Sequence, residues 1–285
     1  MLLLSFLLSC AQPEEPQSDS KESVCSEAHE LSYVLNHIEY ARRHEGVAWG
    51  FNIDGLESDE QDDDGCNKAD LVDPLGNTGI DNGLSTLIPA LDMTEASAVE
   101  GLIQDSINAG ELLMMLRMSG LDSLPSTPES HSDECVSMEF LRASGTPMVG
   151  TDGTILDSQS FMRSDFPSVT KQTTMKDGSL MIEGVPLSLE IQVLDKYLTF
   201  EMYPGGVYAQ ILPDGTMEGF FGGALPIDYL FEIAAFDEVG ITELLNELLS
   251  TAADLSPDEQ GDCHEISVVF EFTAIPGYLY TSETQ

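Results

Sequence analysis

Residues 52–70, NIDGLESDEQDDDGCNKAD, hold the densest set of groups able to do chemistry. Asp54, Glu57, Asp59, Glu60, Asp62, Asp63 and Asp64 stand together with no base among them, and Gly65 and Cys66 follow at once. A hard cation such as calcium takes about six to eight oxygens and favours carboxylates and carbonyls on an adaptable loop. Asn52, Asp54, Asp62, Asp64, Asp70 and Asp81 are therefore the candidate metal ligands, with Ca2+ as the candidate ion. A disulfide at Cys66 would pin this loop and lower the entropy of closing it around an ion. The plainer alternative is that these acids point to water and that Asp81 caps a helix beginning near Leu84.

Other chemistry has thin support. His29, His37, His44, His131 and His264 form no H-E-x-x-H pair of ligands. No G-x-S-x-G nucleophile turn occurs, so no catalytic residue is assigned. The stretch 215–226, GTMEGFFGGALP, lacks the Gly-Lys-Ser/Thr of a phosphate loop and reads as a strand with close backbone packing. A secreted hydrolase would need only two facing carboxylates. The chain has 51 Asp plus Glu, so such a pair cannot be located from sequence. Against those acids stand 10 Lys plus Arg, a formal charge of −41. A surface of this sign repels nucleic acid and draws cations or a basic protein partner. It also fits a third reading, a salt-adapted acidic surface with no specific ligand.

The elements that would position these groups are mostly strands. Residues 31–41 read as a strand rich in β-branched and aromatic side chains, with 46–52 as its partner and Trp49 in the core. Leu84, Leu87, Ile88 and Leu91 follow a helical period that Pro89 interrupts. Thr94 caps a second helix, striped by Val99, Ile103 and Ile107 and stopped at Gly110. Residues 112–118 read as a buried strand, and 125–134 as a loop. From Cys135 to Leu212 the pattern alternates, and Asp152-Gly153, Asp177-Gly178 and Asp214-Gly215 are hairpin dipeptides that suggest a meander. Helices follow Pro226 as far as Phe236 and again over 238–251, before an alternating strand at Ile266, Val268, Phe270 and Phe272. These signals predict an α+β domain, a mainly antiparallel sheet or sandwich with two clusters of helices packed on it.

Five cysteines occur: Cys10, Cys25, Cys66, Cys135 and Cys263. They contain no C-x-x-C, and the last four can form two disulfides in any of three pairings. Cys10 ends the apolar run MLLLSFLLSC, and Leu7-Leu8-Ser9-Cys10 resembles the lipobox of bacterial lipoproteins. That resemblance implies acylation of Cys10 and removal of the signal peptide before it. Ala11, in place of Asp, then implies sorting to the outer membrane or cell surface of the bacterial envelope. The segment departs from the pattern in lacking positive residues at its start. The expected organisation is a signal peptide over 1–10, a disordered tether over 11–24 and a single extracytoplasmic domain over 25–285 with its acidic loop at 52–82. The expected partner is thus the membrane, through the lipid anchor.

Two weaker resemblances concern the acidic loop. It is similar to the Asp-rich calcium loops of EF-hand, dockerin and thrombospondin-type-3 proteins. In an EF-hand register begun at Asp59, the residues Asp59, Gln61, Asp63, Gly65, Asn67 and Asp70 fall at the ligand positions. Asp64 replaces the required glycine and Asp70 the final glutamate, which puts an EF-hand proper aside. Residues 46–90 as a whole resemble uncharacterised exported bacterial lipoproteins, a likeness that brings no activity with it. Together these readings predict a membrane-anchored extracytoplasmic binding or structural module, stabilised by calcium.

Overall fold

A computed structural model of the chain describes residue 25 and residues 29–92, 98–124, 127–193, 196–234 and 242–281. The elements in order are β1 (His29–Tyr40), α1 (Ile88–Leu91), α2 (Ala98–Ala109), β2 (Leu113–Leu121), β3 (Asp133–Ser144), β4 (Gln159–Arg163) and β5 (Val169–Met175). Then follow β6 (Ser179–Val193), β7 (Lys196–Ile211), β8 (Met217–Pro226), α3 (Ile227–Ala234), α4 (Thr242–Ala252), β9 (Leu255–Pro257) and β10 (Cys263–Tyr280).

The expected α+β arrangement is overturned. The protein is mostly β, with ten strands in one mixed sheet and four short helices among the described residues. Two physical reasons account for the error. The strands after Cys135 are longer than their clearest alternating stretches, β6 covering Ser179–Val193 and β7 Lys196–Ile211. The helices are correspondingly slight: the Leu84–Leu91 pattern becomes a 3-10 turn at Gly83–Thr86 and a four-residue helix with Pro89 in its first turn. The sheet is also not wholly antiparallel, because β4 runs parallel to β10.

Hydrogen bonding runs β6-β7-β8-β10-β1-β2-β3-β5, and β5 leads back into β6. The last link is a two-residue turn in which Asp177 and Gly178 have φ of 49° and 74°. Both values are positive, as a type I′ hairpin turn requires. The path therefore returns to its start as a barrel-like ring. Within it Val34, Leu35 and Ile38 of β1, Leu113 and Met115 of β2, Phe221 of β8 and Phe270 of β10 belong to one buried cluster. Ile103 and Ile107 of α2 are fully buried in that cluster, and α2 packs on β1 and β6. Gly110, with φ of 80°, ends α2 as expected, whereas Thr94 lies outside the described residues.

Residues 46–52 do not pair with β1, whose two edges are taken by β2 and β10. They belong to a long loop on the opposite face of the sheet. Phe51, Phe220, Val269 and Ala41 form a second buried cluster there, with Trp49 and Tyr208 packed against it. Trp49 is half-buried in this outer cluster and is no part of the main core. The loop lies close because Gly206 has no side chain: a Cβ there would stand 2.8 Å from the Phe51 ring.

The four cysteines pair as Cys25–Cys135 and Cys66–Cys263. The first bond ties residue 25 to β3, and the second ties the acidic loop to the first residue of β10.

Candidate functional site: a carboxylate cleft beside the acidic loop

The acidic loop is built from turns closed by its own acids. Asp54 Oδ1 accepts the Leu56 N–H at 2.9 Å, and Asp62 Oδ2 accepts the Asp59 N–H at 2.8 Å. Asn52 donates its amide to the Leu56 carbonyl at 2.9 Å. Asp, Asn and Ser stabilise turns in this way. Asp70 Oδ2 accepts the Ser58 N–H at 2.5 Å, which closes the loop at its base.

Asp81 does different work. It is buried, and its Oδ2 accepts the N–H of Ile53 at 2.6 Å and that of Asp54 at 3.4 Å. It therefore fastens the entry of the loop. The expected helix cap at Asp81 falls instead to Asn82, whose Oδ1 accepts the Ser85 N–H at 3.2 Å. Asn82 also donates to the Trp49 carbonyl at 2.9 Å.

Sequence reasoning missed Asp254. This buried carboxylate accepts the Ser267 N–H at 2.7 Å and the Ser267 hydroxyl hydrogen. Gly83 also donates to Asp254, and its N–H meets Ser267 Oγ at 2.6 Å. Gly83 is required at this contact, since a Cβ would stand 2.7 Å from the Asp254 carboxyl and from the Ala252 carbonyl oxygen. No periodic pattern or motif surrounds Asp254; it follows α4 in a plain Ala-Ala-Asp-Leu.

Asp70, Asp81 and Asp254 line one cleft of about 550 Å³, together with Asn82, Arg43 and Lys68. Burial pushes the Asp81 carboxyl up to about 8, and the charges of Asp54, Asp254 and Asp70 add to that. Burial likewise pushes Asp254 up to about 6, against the opposing hydrogen bonds from Ser267 and Gly83. Asp70 is raised by burial first, then by Asp54, Glu57 and Asp62. Lys68 spends its ammonium on the Thr251 carbonyl at 2.6 Å.

The six expected metal ligands thus fall into two places. Asn52, Asp54 and Asp62 shape the loop, Asp70 and Asp81 face the cleft, and the Asp64 side chain lies outside what is described. Among the described residues no three His, Cys, Asp or Glu side chains stand close enough to hold a metal ion together. No helix among them is long and apolar enough to cross a membrane. No family model, curated protein or solved structure matches the chain.

Proposed function

We propose that this chain is an extracytoplasmic binding or structural module, held to a bacterial envelope by a lipid on Cys10. The observation that supports it is the pairing of cysteines far apart in sequence. Cys25–Cys135 and Cys66–Cys263 span 110 and 197 residues, and disulfides persist in oxidising compartments outside the cytosol. Of the five cysteines, the one these bonds leave over is Cys10, which closes the lipobox-like run. The test is metabolic labelling of the full precursor with an alkyne palmitate analogue in a diderm host. Label is expected on the wild type and absent from Cys10→Ser; equal label on both, or none on either, rejects the anchor.

Calcium is proposed as the counter-ion of the acidic loop. Its support is the repulsion that Asp54, Glu57 and Asp62 exert on Asp70, beside which Lys68 spends its ammonium on the Thr251 carbonyl. Millimolar CaCl2 is expected to raise the melting temperature beyond NaCl of equal ionic strength, and Asp54→Asn and Asp64→Asn to shrink that increment. Equal effects of the two salts reject it.

A hydrolase reading has one observation in its favour, two carboxyls on one cleft with separated values of about 8 and about 6. Such a split assigns an acid and a base. Here, however, both carboxylates already accept backbone N–H groups, which favours fastening over chemistry. Turnover of ester or glycoside substrates, lost in both Asp81→Asn and Asp254→Asn, would reverse that preference.

A further inference from the structure

The outward side chains of β1, β10, β8 and β7 stand in two aligned rows. One row reads His37, Thr273, Glu218 and Gln210 across the four strands. The next reads Glu39, Glu271, Phe220 and Tyr208. All eight line a single groove of about 420 Å³. Trp49 closes one side of it, its ring near-parallel to Phe220 at 5.1 Å and to Tyr208 at 6.1 Å.

The charges in these rows oppose one another. Glu39 and Glu271 are direct cross-strand partners, and Glu218 sits diagonally beside Glu271. Like charges placed directly opposite destabilise a sheet. The Glu271 carboxyl is accordingly raised, by burial first and then by Glu39 and Glu218. The nearby cations offset this only in part: the Arg42 charge and backbone N–H both lower Glu271, and His37 Nε2 stands 3.8 Å from Glu39. Arg42 gives its guanidinium to Glu100 at 2.8 and 2.9 Å and comes no closer than 3.7 Å to Glu39. His37 Nδ1 meets Gln104 at 2.7 Å. The sheet therefore carries a local repulsion beside a wall of stacked rings, and both are met by the same kind of ligand.

We propose that this groove binds a small organic cation, an ammonium or guanidinium group carried on apolar carbons. Glu39, Glu218 and Glu271 supply the counter-charge, and the half-buried Trp49 and Tyr208, backed by the buried Phe220 ring, supply the surface for the carbons and for cation–π attraction. The volume lies within the roughly 300–1,000 Å³ of small-molecule sites. This site is separate from the Asp81 cleft and does not depend on the lipid anchor.

Trp49 is the only tryptophan, so emission changes come from its own surroundings, of which this groove is one side. The full chain is titrated with phenyltrimethylammonium and with agmatine at about 0.15 M NaCl, where exposed charges are largely screened. A saturable change in Trp49 emission is expected with at least one of them. Glu218→Gln and Glu271→Gln should each weaken it about tenfold, the order of one lost charged contact. Both variants should melt no lower than wild type, because each relieves repulsion. Glu134→Gln, which removes the same charge outside the groove, should bind as wild type does. No saturable change with either cation overturns the proposal. So does an unchanged affinity in both groove variants, or an equal response to CaCl2 or to neutral methyl glucoside.

Discussion

Asp254 and Asp81 show how a buried acid sets the pH response of a fold. Each has a folded value above the unfolded carboxyl value of about 3.9. The folded state then holds its proton more tightly, so the stabilising contribution is complete below about pH 4 and is lost as pH rises through the folded value. For Asp254 the loss runs from about pH 4 to about 6, and for Asp81 from about pH 4 to about 8. The general charge repulsion of the chain grows over the same pH range and destabilises in the same direction, so only the difference from a variant isolates each group. In chelator-containing buffer, Asp254→Asn should flatten the melting profile mainly below pH 6, and Asp81→Asn should flatten it up to pH 8. Every tenfold by which folding tightens a carboxyl's hold on its proton is worth about 1.4 kcal/mol, which sets the size expected. Profiles parallel to wild type would mean neither carboxyl is protonated by burial. At this scale the sequence was half legible. Asp81 could be singled out because it stands among glycines and other acids, whereas Asp254 could not, since its partner Ser267 lies on another element and no spacing links them.

Among elements, the acidic loop is the one whose attachment can be measured. It is held at Phe51 against β7, at Asp81, and through Cys66–Cys263. Gly206→Ala would drive a Cβ into the Phe51 ring. Overpacking of this kind costs about 1–3 kcal/mol, and it should also move Trp49 emission to longer wavelength as the loop lifts. Replacing both Cys66 and Cys263 with Ser should lower stability to chemical denaturation by about 2–5 kcal/mol, the usual cost of removing a native disulfide. A change under about 0.5 kcal/mol, the range of ordinary surface substitutions, would show that packing alone holds the loop. The strands were well marked in the sequence, with β1, β2 and the alternating part of β6 at their expected places. All three Asp-Gly dipeptides sit in turns: Gly153 has φ of 81°, Gly178 of 74° and Gly215 of 84°. The 46–52 segment misled because its apolar residues bury themselves against the outer sheet face from a loop, and a loop leaves no period.

The whole molecule carries far more acids than bases, and several of its few bases are already paired. Arg42, Arg117, Arg142 and Arg163 are each paired with a glutamate, namely Glu100, Glu30, Glu190 and Glu139. A formal charge of −41 then rests on a largely uncompensated surface. Raising NaCl from about 10 mM to about 0.5 M shortens the screening length severalfold and should raise the melting temperature steadily. A flat response would mean that the acids are already neutralised by bound ions. Composition conveyed this property completely, but it could not convey the ring. Closure depends on which strand meets which across long separations, and the sequence holds only local turns. The four helical patterns weighed too heavily for the same reason, since periodicity records that a helix forms and not how little of the fold it covers.

One strand completes that ring. β10 bonds to β1, β4, β8 and β9, and it is the last strand in chain order. Until it is in place, β1 and β8 each keep an open edge and Cys66 lacks its native partner, Cys263. A polypeptide released from its front end would stay pliable through almost its whole length, and would lock only when its final strand arrives.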